Sequence, residues 1–466
     1  MNDSGFIRSN CAARLIVTLA AACLAQSLHA DTIIVPDDTP FFGVALAQAA
    51  SGDTIIVRAG TYAEANEFVI DGKTVTIMSE SPEAEVILSG ADLHRVLRIE
   101  GPGANGTVID GITFRDGTAP GNGSGNEGGG LRITNADVTI RNCVFDGNTA
   151  VGAGGGLYIS NTSLTIANTQ FLGNSSTGSG ADGGGAFLSG GIHTISGCLF
   201  DGNSAADSGG GFRLDAGAAQ VTACVFTGNT VGVGGGAFFG RSGTGVTFDH
   251  CRFEGNHADL EGGGLRVYDA GTALLVRNSL FLGNTAAQTG GALHLSQATV
   301  KALNCTFMDN EAGSSNAIIS YQTVGPRAFH NVIVWNNTPA STPFESGINL
   351  DVRYSLVEGG QPGLGNINAD PMLDRDGRPL AGSPVIDAGS TSLYSGPFSD
   401  FGGGQRGLDD PDTADTGESI IGPVVDMGAY EYQPVPVSQC PGDINGDGMV
   451  DGADLGILLA AWGSCL

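Results

Sequence analysis

The sequence predicts an all-β protein whose main domain is a parallel β-helix of about eleven coils. Three observations predict it: a repeat period close to 27 residues, a glycine run in each repeat, and short stretches in which apolar residues alternate. Six repeats end in F-x-G-N and a seventh ends in F-x-D-N, with phenylalanines spaced by 26, 29, 26, 27, 28 and 26 residues: Phe145, Phe171, Phe200, Phe226, Phe253, Phe281 and Phe307. Such a period is typical of a solenoid, because one repeat alone cannot bury its apolar face.

Two strands are predicted in each repeat. After the glycine run, apolar residues occupy every second position, as in a half-buried strand. The predicted inward pairs are Leu131/Ile133, Leu157/Ile159, Ala186/Leu188, Phe212/Leu214, Ala237/Phe239, Leu265/Val267 and Leu293/Leu295. A second strand leads into each phenylalanine. Short strands that pair with their counterparts one repeat later form parallel sheets, with about 4.8 Å between strands.

One outward residue lies between the members of each inward pair. These residues are Arg132, Tyr158, Phe187, Arg213, Phe238, Arg266 and His294. Arginines and aromatic rings on an otherwise acidic rod suit stacking on sugar rings and pairing with acidic sugars. We therefore predict that this column binds ligand. The alternative is a strand ladder that the loops of the protein cover.

Three further columns are predicted to hold the fold. The recurring glycines supply positive φ and close backbone approach. The asparagines of F-x-G-N can form a hydrogen-bonded ladder at strand spacing: Asn148, Asn174, Asn203, Asn229, Asn256, Asn284, Asn310 and Asn337. Five cysteines share one inward column: Cys143, Cys198, Cys224, Cys251 and Cys305. Only neighbouring coils could bridge, as Cys198–Cys224 or Cys224–Cys251, and we expect free buried thiols.

The start of the solenoid differs from its regular part. Strands are predicted at Thr32–Val35 and Thr54–Val57, with an apolar helix around Phe42 to Ala50 between them. Because the first coil of a solenoid exposes its core, we expect this helix to cap it. Irregular coils at Thr74–Met78 and Gly111–Phe114 follow, and then a glycine-rich insertion precedes the repeats.

Charge and the first thirty residues limit the function. The chain of 466 residues has 20 Lys and Arg against 48 Asp and Glu, a net charge of −28. Such a surface repels nucleic acids and anionic membranes, so no nucleic-acid partner is predicted. Residues 1–30 have the pattern of a signal peptide, with Arg8 and Arg14 before an apolar run. We predict export, to the medium or the cell surface, and no transmembrane segment.

The last part of the chain predicts a calcium module. A proline-rich linker, 433–439, separates it from the solenoid, 31–432, and the module occupies 440–466. Oxygen ligands fall at the spacing of an EF-hand-type Ca²⁺ loop, with the backbone carbonyl at the methionine: Asp443, Asn445, Asp447, Met449, Asp451 and Asp454. An apolar helix is expected next. Cys440 and Cys465 flank the module and are predicted to form a disulfide, which such a small unit needs.

Several of these motifs resemble known families. The alternation of G-G-[GA]-[LAF] with F-x-G-N resembles the repeats of polymorphic outer-membrane proteins, within the pectin-lyase-like class. Gly52–Tyr62 resembles the start of bacterial right-handed β-helix repeat proteins, and Gly382–Gly389 with Asp426–Glu431 resembles their close. The resemblance implies a right-handed parallel β-helix over 31–432. The tail resembles one half of a type I dockerin, which carries two such repeats, and so implies a cohesin-like receptor.

The predicted function is that of an exported, non-catalytic β-helix that binds polysaccharide or a cell-surface partner through the outward column. Its calcium-binding tail would anchor or dock it. No catalytic residue is predicted, because carboxylates in the outward columns do not fall on adjacent coils at the separation that glycosidases need. The alternative is a polysaccharide-degrading enzyme, either a lyase or a glycoside hydrolase, which the dockerin resemblance favours. A purely structural cell-surface protein is the third reading.

Overall fold

The computed structural model describes most of the chain. The described residues are 30–121, 125–314, 318–321, 326–339, 344, 349–396, 398–420, 422–433 and 450–461. The predicted signal peptide lies outside them, apart from its last residue. So do the predicted linker, except for Gln433, and the first part of the predicted calcium module. Among the described helices, none combines the length and the apolar character that crossing a membrane requires.

The architecture is a parallel β-helix of about ten turns, close to the predicted number. Four parallel sheets, A to D, run along it, and each regular turn passes through sheets C, A, B and D in that order. Sheet A has 13 strands: Thr32–Val35, Thr54–Val57, Thr76–Ser79, Thr107–Asp110, Val138–Arg141, Leu164–Ala167, Ile192–Ser196, Ala218–Thr222, Gly245–Asp249, Ala273–Arg277, Thr299–Leu303, Arg327–His330 and Leu350–Arg353.

The other sheets stack in the same direction. Sheet B has 12 strands: Gly60–Ala63, Val86–Ser89, Ile112–Arg115, Val144–Asp146, Gln170–Leu172, Leu199–Asp201, Val225–Thr227, Arg252–Glu254, Leu280–Leu282, Thr306–Met308, Ile333–Trp335 and Leu356–Val357. Sheet C has 10: Phe68–Asp71, Leu97–Glu100, Leu131–Thr134, Leu157–Ser160, Ala186–Ser189, Phe212–Asp215, Phe238–Arg241, Leu265–Tyr268, Leu293–Ser296 and Ile318–Tyr321. Sheet D has 8: Thr118–Ala119, Thr149–Ala150, Ser175–Ser176, Ser204–Ala205, Thr230–Val231, His257–Ala258, Thr285–Ala286 and Glu311–Ala312.

The columns predicted to hold the fold occupy the interior. Rings of successive phenylalanines stack at 4.6–5.0 Å between centroids, from Phe114 to Phe307. The asparagine ladder runs from Asn148 to Asn337, and each side chain hydrogen-bonds the next at 2.8–3.0 Å. The five cysteines of the solenoid are free and buried. The predicted asparagine ladder and the predicted free thiols are thus confirmed.

The glycine runs of the repeats also have their predicted role. The first glycine of each run has a φ of 64° to 76° in successive turns, from Gly128 to Gly290. At Gly209 a Cβ atom would lie 2.8 Å from the carbonyl oxygen of Phe212, closer than real Cβ atoms approach. Glycine is required there because the backbone conformation and the close approach both exclude a side chain.

Within the described part of the chain, two helices and one short 3₁₀ turn accompany the strands. Helix α1, Phe42–Gln48, buries Phe42, Ala45 and Leu46 in the main core, where Phe42 meets Phe68 edge-on at 4.8 Å. It ends two residues before the predicted end. The 3₁₀ turn spans Pro102–Ala104, and helix α2 spans Gly452–Ala461.

The segment after the last strand, 358–433, folds back on sheet B. Its apolar residues pack on the outer face of that sheet in two small clusters, one of which joins Val385 and Met427 to Ile333. A buried ion pair of 3.3 Å joins Arg406 to Glu431, and both side chains are fully buried. Arg406 Nε also donates to Asn278 Oδ1 at 3.0 Å. The C-terminal segment is thus anchored to the solenoid by buried polar contacts.

Candidate functional site

The outward column predicted to bind ligand is a continuous feature of sheet C. Its members occupy the same strand position in successive turns, so that Arg132 pairs with Tyr158, Tyr158 with Phe187, and Phe187 with Arg213. The column continues through Arg266 and His294. We call it the arginine–aromatic column. The structure brings six of the seven predicted residues together.

Phe238 does not belong to this column, and that part of the prediction is wrong. Arg213 pairs with Phe239, which in turn pairs with Arg266, while Phe238 points into the core and is fully buried. The prediction counted Ala237 as the first inward residue, but Ala237 is the third small residue of the turn, as Ala292 is in a later repeat. A slip of one residue moves every side chain of a strand to the other face.

Within the column, the guanidinium groups of the arginines lie over the aromatic rings. The Tyr158 and Phe187 rings are parallel, with centroids 5.3 Å apart. The guanidinium carbon of Arg132 lies 5.9 Å from the centroid of Tyr158, and that of Arg213 lies 5.8 Å from Phe187 and 4.9 Å from Phe239. Such distances fall in the range of attractive cation–π contacts. The residues therefore stabilise one another along the rod.

The C-terminal half of the column is buried. Arg213 is 2% exposed and Phe239 and His294 are 4% exposed. Arg213 forms ion pairs with Asp182 and Asp215, and Arg266 pairs with Glu261 at 2.6 Å. Burial lowers the pKa of the Arg266 guanidinium. Arg266 keeps 13% of its side chain exposed. Since Arg213, Phe239 and His294 are buried and loop carboxylates neutralise the arginines, this half has mainly the character of a covered strand ladder.

The N-terminal half opens into a cleft of about 620 Å³. Arg132 and Arg98 remain 14% and 27% exposed at their side chains. The lining residues are Glu67, Arg95, Arg98, Glu100, Gly125, Glu127, Arg132, Thr134, Asn135, Tyr158, Ser160 and Asn161. We call this the arginine cleft. It lies where the first turns of the solenoid meet the glycine-rich insertion.

Four charged residues of the cleft were missed by sequence reasoning: Glu67, Arg95, Arg98 and Glu100. They lie in turns that lack both the glycine run and F-x-G-N, so the repeat pattern gave no alignment for them. One signal could have found Arg98. Leu97-Arg98-Ile99 has the same letters as Leu131-Arg132-Ile133, and the two strands pair in that register.

The charges of the cleft form a connected network. Glu67 accepts from Arg95 at 2.7 Å and from Arg98 at 2.9 Å, and Arg98 also pairs with Glu100. Arg132 donates to Glu127 at 3.2 Å. Burial lowers the pKa of Arg95, which also donates to the main-chain carbonyl of Glu127 at 2.8 Å. Three guanidinium groups and three carboxylates thus surround an aromatic wall.

Tyr158 forms that wall. Burial, and then the charge of Glu127, raise the pKa of its phenol, so the hydroxyl keeps its proton. Neutral tyrosine offers a flat apolar face and a hydroxyl, which suits a polyhydroxylated ring. The cleft can therefore stack a sugar on Tyr158 and bind hydroxyl or carboxylate groups through the charged network.

The predicted calcium ligands lie mostly outside the described residues. Asp443, Asn445, Asp447 and Met449 do so, as do Cys440 and Cys465. Of the described pair, the main-chain N–H of Asp451 donates to Asp454 Oδ2 at 2.8 Å, and that of Ala453 donates to Asp451 Oδ1 at 2.7 Å. These two hydrogen bonds cap the first turn of helix α2 in the manner of a capping box. The carboxylate and amide donors of the whole set suit Ca²⁺ in their chemistry.

Comparison with known proteins gives a family and several solved structures. The family described as "Right handed beta helix region" matches residues 97–279 and 155–355, together more than half of the 466 residues. No curated protein matches the chain. The match supports the predicted right-handed form of the β-helix.

The similar solved structures include two polysaccharide lyases and a glucanase domain. Pectate lyase Pel9A has a TM-score of 0.43 and 14% identity, over 86% of this chain and 96% of its own. The PL6 family alginate lyase AlyGC has a TM-score of 0.45 and 16% identity, over 76% of this chain and 56% of its own. A GH87 α-1,3-glucanase catalytic domain in complex with nigerose has a TM-score of 0.38 and 15% identity, over 69% of this chain and 67% of its own. Likeness at this level carries no argument about activity.

Proposed function

Because the chain belongs to the right-handed β-helix family, we propose that its scaffold presents the arginine cleft as a binding site for polysaccharide or a glycan-bearing cell-surface partner. The protein would be exported and would bind without cleaving. The observation that carries the proposal is the exposed end of the arginine–aromatic column, where Arg98, Arg132 and Tyr158 line one open cleft.

The chemistry of the cleft favours an acidic glycan. Arginine recognises carboxylates in a planar, bidentate way, so a sugar carboxylate can share a guanidinium of the cleft with its glutamate partner. Arg132 is held by one ion pair of 3.2 Å to Glu127, so it is the guanidinium most readily shared. A sugar ring on Tyr158 would then place its carboxylate toward Arg132. The net charge of −28 repels an acidic polymer at long range, most strongly at low salt, so binding would depend on these local contacts.

Two features of the cleft favour binding over cleavage. The raised pKa of Tyr158 makes its phenolate a scarce base at neutral pH. The three glutamates of the cleft are each engaged by an arginine. These ion pairs occupy carboxylate oxygens that a nucleophile or a general acid would have to present to the sugar.

The test is binding of the full chain to a panel of acidic and neutral polysaccharides, by affinity electrophoresis and calorimetry. We expect Arg98→Ala and Tyr158→Ala each to weaken binding about tenfold or more, since each removes one polar or stacking contact of about 1.4 kcal/mol. Arg58→Ala is the matched control, because Arg58 is an exposed arginine whose ion pairs lie outside the cleft. Equal binding by all four proteins would refute the site.

An enzyme that degrades polysaccharide is the second candidate. The observation that favours it is the gathering of Glu67, Glu100 and Glu127 with Tyr158 around one cleft, because paired carboxylates carry glycoside hydrolysis. Assays for reducing ends and for unsaturated products, on the same panel and with and without calcium, decide between the candidates. Product formation that Glu127→Gln abolishes would replace the binding proposal.

The tail is proposed as a calcium-stabilised docking module with a cohesin-like receptor as its partner. The support is the ligand spacing from Asp443 to Asp454 and the flanking cysteines. The test is Ca²⁺ binding by the full chain against Asp443→Asn/Asp447→Asn, together with capture by an immobilised cohesin. Helix α1 is proposed as the cap of the first turn, on the support of its buried Phe42.

A further inference from the structure

Three aspartates converge in the C-terminal segment, far in sequence from the predicted calcium loop. One carboxylate oxygen from each of Asp387, Asp409 and Asp415 lies within 4.8 Å of the other two. Asp387 is fully buried, whereas Asp409 and Asp415 are exposed on the loop 409–416. The cluster therefore joins the surface loop 409–416 to a residue that is buried in the C-terminal segment.

The main chain of Asp387 and one oxygen of its carboxylate have hydrogen-bond partners, but the other carboxylate oxygen has none. Its main-chain N–H donates to Asp426 Oδ1 at 2.8 Å, and its carbonyl accepts from Thr416 at 2.9 Å and Gly417 at 3.1 Å. Oδ2 accepts from the main-chain N–H of Asp410 at 3.1 Å. Oδ1 is buried and has no hydrogen-bond partner. A buried carboxylate oxygen without a donor is costly, so this atom calls for a ligand.

The charge of the cluster also lacks compensation. Among the described residues, no arginine, lysine or histidine forms an ion pair with any of the three aspartates. Burial and the nearby charges of Asp415 and Asp409 raise the pKa of Asp387 to about 6. Like charges this close repel unless a cation lies between them.

We propose that Asp387, Asp409 and Asp415 bind a hard divalent cation, with Ca²⁺ as the fitting ion. Calcium takes 6–8 oxygens at about 2.3–2.6 Å, so two ligands of one ion are separated by at most about 5 Å. The separations in the cluster satisfy this limit without rearrangement. Water completes the shell on the exposed side. The ion clamps the loop 409–416 onto the segment that covers sheet B.

The experiment separates this site from the tail by using the full chain with Asp443→Asn/Asp447→Asn as the background. Calorimetry with CaCl₂ is expected to show one bound Ca²⁺ in this background, and the melting temperature is expected to rise by several degrees over that in EDTA. Adding Asp409→Asn/Asp415→Asn should abolish both effects. Asp412→Asn is the matched control, because Asp412 is an exposed aspartate of the same loop and lies outside the cluster.

The melting temperature of Asp409→Asn/Asp415→Asn also distinguishes loss of the site from loss of the fold. In EDTA, Asp409→Asn/Asp415→Asn should melt at or above the temperature of its background, since it relieves repulsion at exposed positions. A background chain that binds no Ca²⁺ would overturn the proposal. So would one Ca²⁺ still bound after Asp409→Asn/Asp415→Asn, or an equal loss in Asp412→Asn.

Discussion

Arg132 lies over the ring of Tyr158, with 5.9 Å between its guanidinium carbon and the ring centroid, at the point where the arginine–aromatic column becomes accessible. Toward the C-terminus the same column is covered by loops and neutralised by their carboxylates. The arginine–aromatic column therefore has two roles along its length. Its buried half stabilises the rod, and its open half is the candidate binding surface.

The contact between Arg132 and Tyr158 can be separated into its parts. Tyr158→Phe keeps the stacking face and removes the hydroxyl, so we expect binding to an acidic polysaccharide to fall less than threefold. Tyr158→Ala should reduce it about tenfold or more. Calorimetry on the two variants measures the difference. An equal loss in both would show that the hydroxyl, and not the ring, recognises the ligand.

Arg213→Ala is expected to change stability and not to act on ligand directly. The substitution leaves Asp182 without its arginine and leaves Asp215 with Arg241 alone, and breaking a buried pair costs about 3–5 kcal/mol. Chemical denaturation measures the loss in the free energy of unfolding. Arg353→Ala is the control, because Arg353 pairs with Asp351 at the surface and should cost under about 1 kcal/mol. Equal, small losses would show that Arg213 is not buried.

The asparagine ladder should also be sensitive to substitution. Asn256 accepts from Asn229, donates to Asn284 at 2.8 Å and donates to the carbonyl of Phe226 at 3.0 Å. Asn256→Ala leaves these partners unsatisfied, so we expect a loss of about 2–4 kcal/mol in the free energy of unfolding. Asn66→Ala, at an exposed position, should change it by less than about 0.5 kcal/mol.

His294 should make stability depend on pH. Burial, and then the charge of Arg266, lower its pKa to about 3. Because the folded pKa lies below the unfolded value of 6.5, the unfolded chain takes up the proton first, and stability is lost as pH falls below 6.5. The carboxylate of Glu261, 3.9 Å away, is already held by Arg266. The loss amounts to about 2 kcal/mol between pH 7 and pH 5.

A variant isolates this contribution from that of other titrating groups. His294→Phe places in the column a ring of the kind found at Phe187 and Phe239, and it cannot titrate. The free energy of unfolding of the protein with His294, minus that of His294→Phe, should become more negative by about 2 kcal/mol from pH 7 to pH 5. A difference independent of pH would show that His294 can be protonated in the folded protein.

The five thiols of the solenoid should be unreactive until the protein unfolds. Burial raises the pKa of Cys143 and Cys305 to about 12, and it contributes to the raised pKa of Cys198 and Cys224. Since the thiolate is the reactive form, a thiol reagent should label none of the five in the native state. In denaturant without reductant all five should react. Two fewer would reveal a disulfide between neighbouring coils.

Several elements were predicted correctly because local chemistry specifies them. Phe145, Asn148 and Gly128 recur at one period. Phe145 stacks on its copy in the next turn, Asn148 hydrogen-bonds its copy, and Gly128 supplies the positive φ that each turn needs. The predicted strand register was wrong by one residue at Ala237, because a small residue can belong either to a turn or to a strand. Only pairing with Phe212 in the neighbouring strand places Phe238 in the core.

The sequence by itself determined the architecture of this protein, because a repeat of about 27 residues with an apolar face can bury that face only by stacking. Which parts of the outward column are accessible was decided by the tertiary structure alone. Asp182 and Glu261 both stand directly before a glycine run, but only the fold shows that they pair with Arg213 and Arg266. The partners of Arg98 and Asp387 come from distant or irregular segments. The contacts of these two residues follow no period, and so no pattern along the chain announces them.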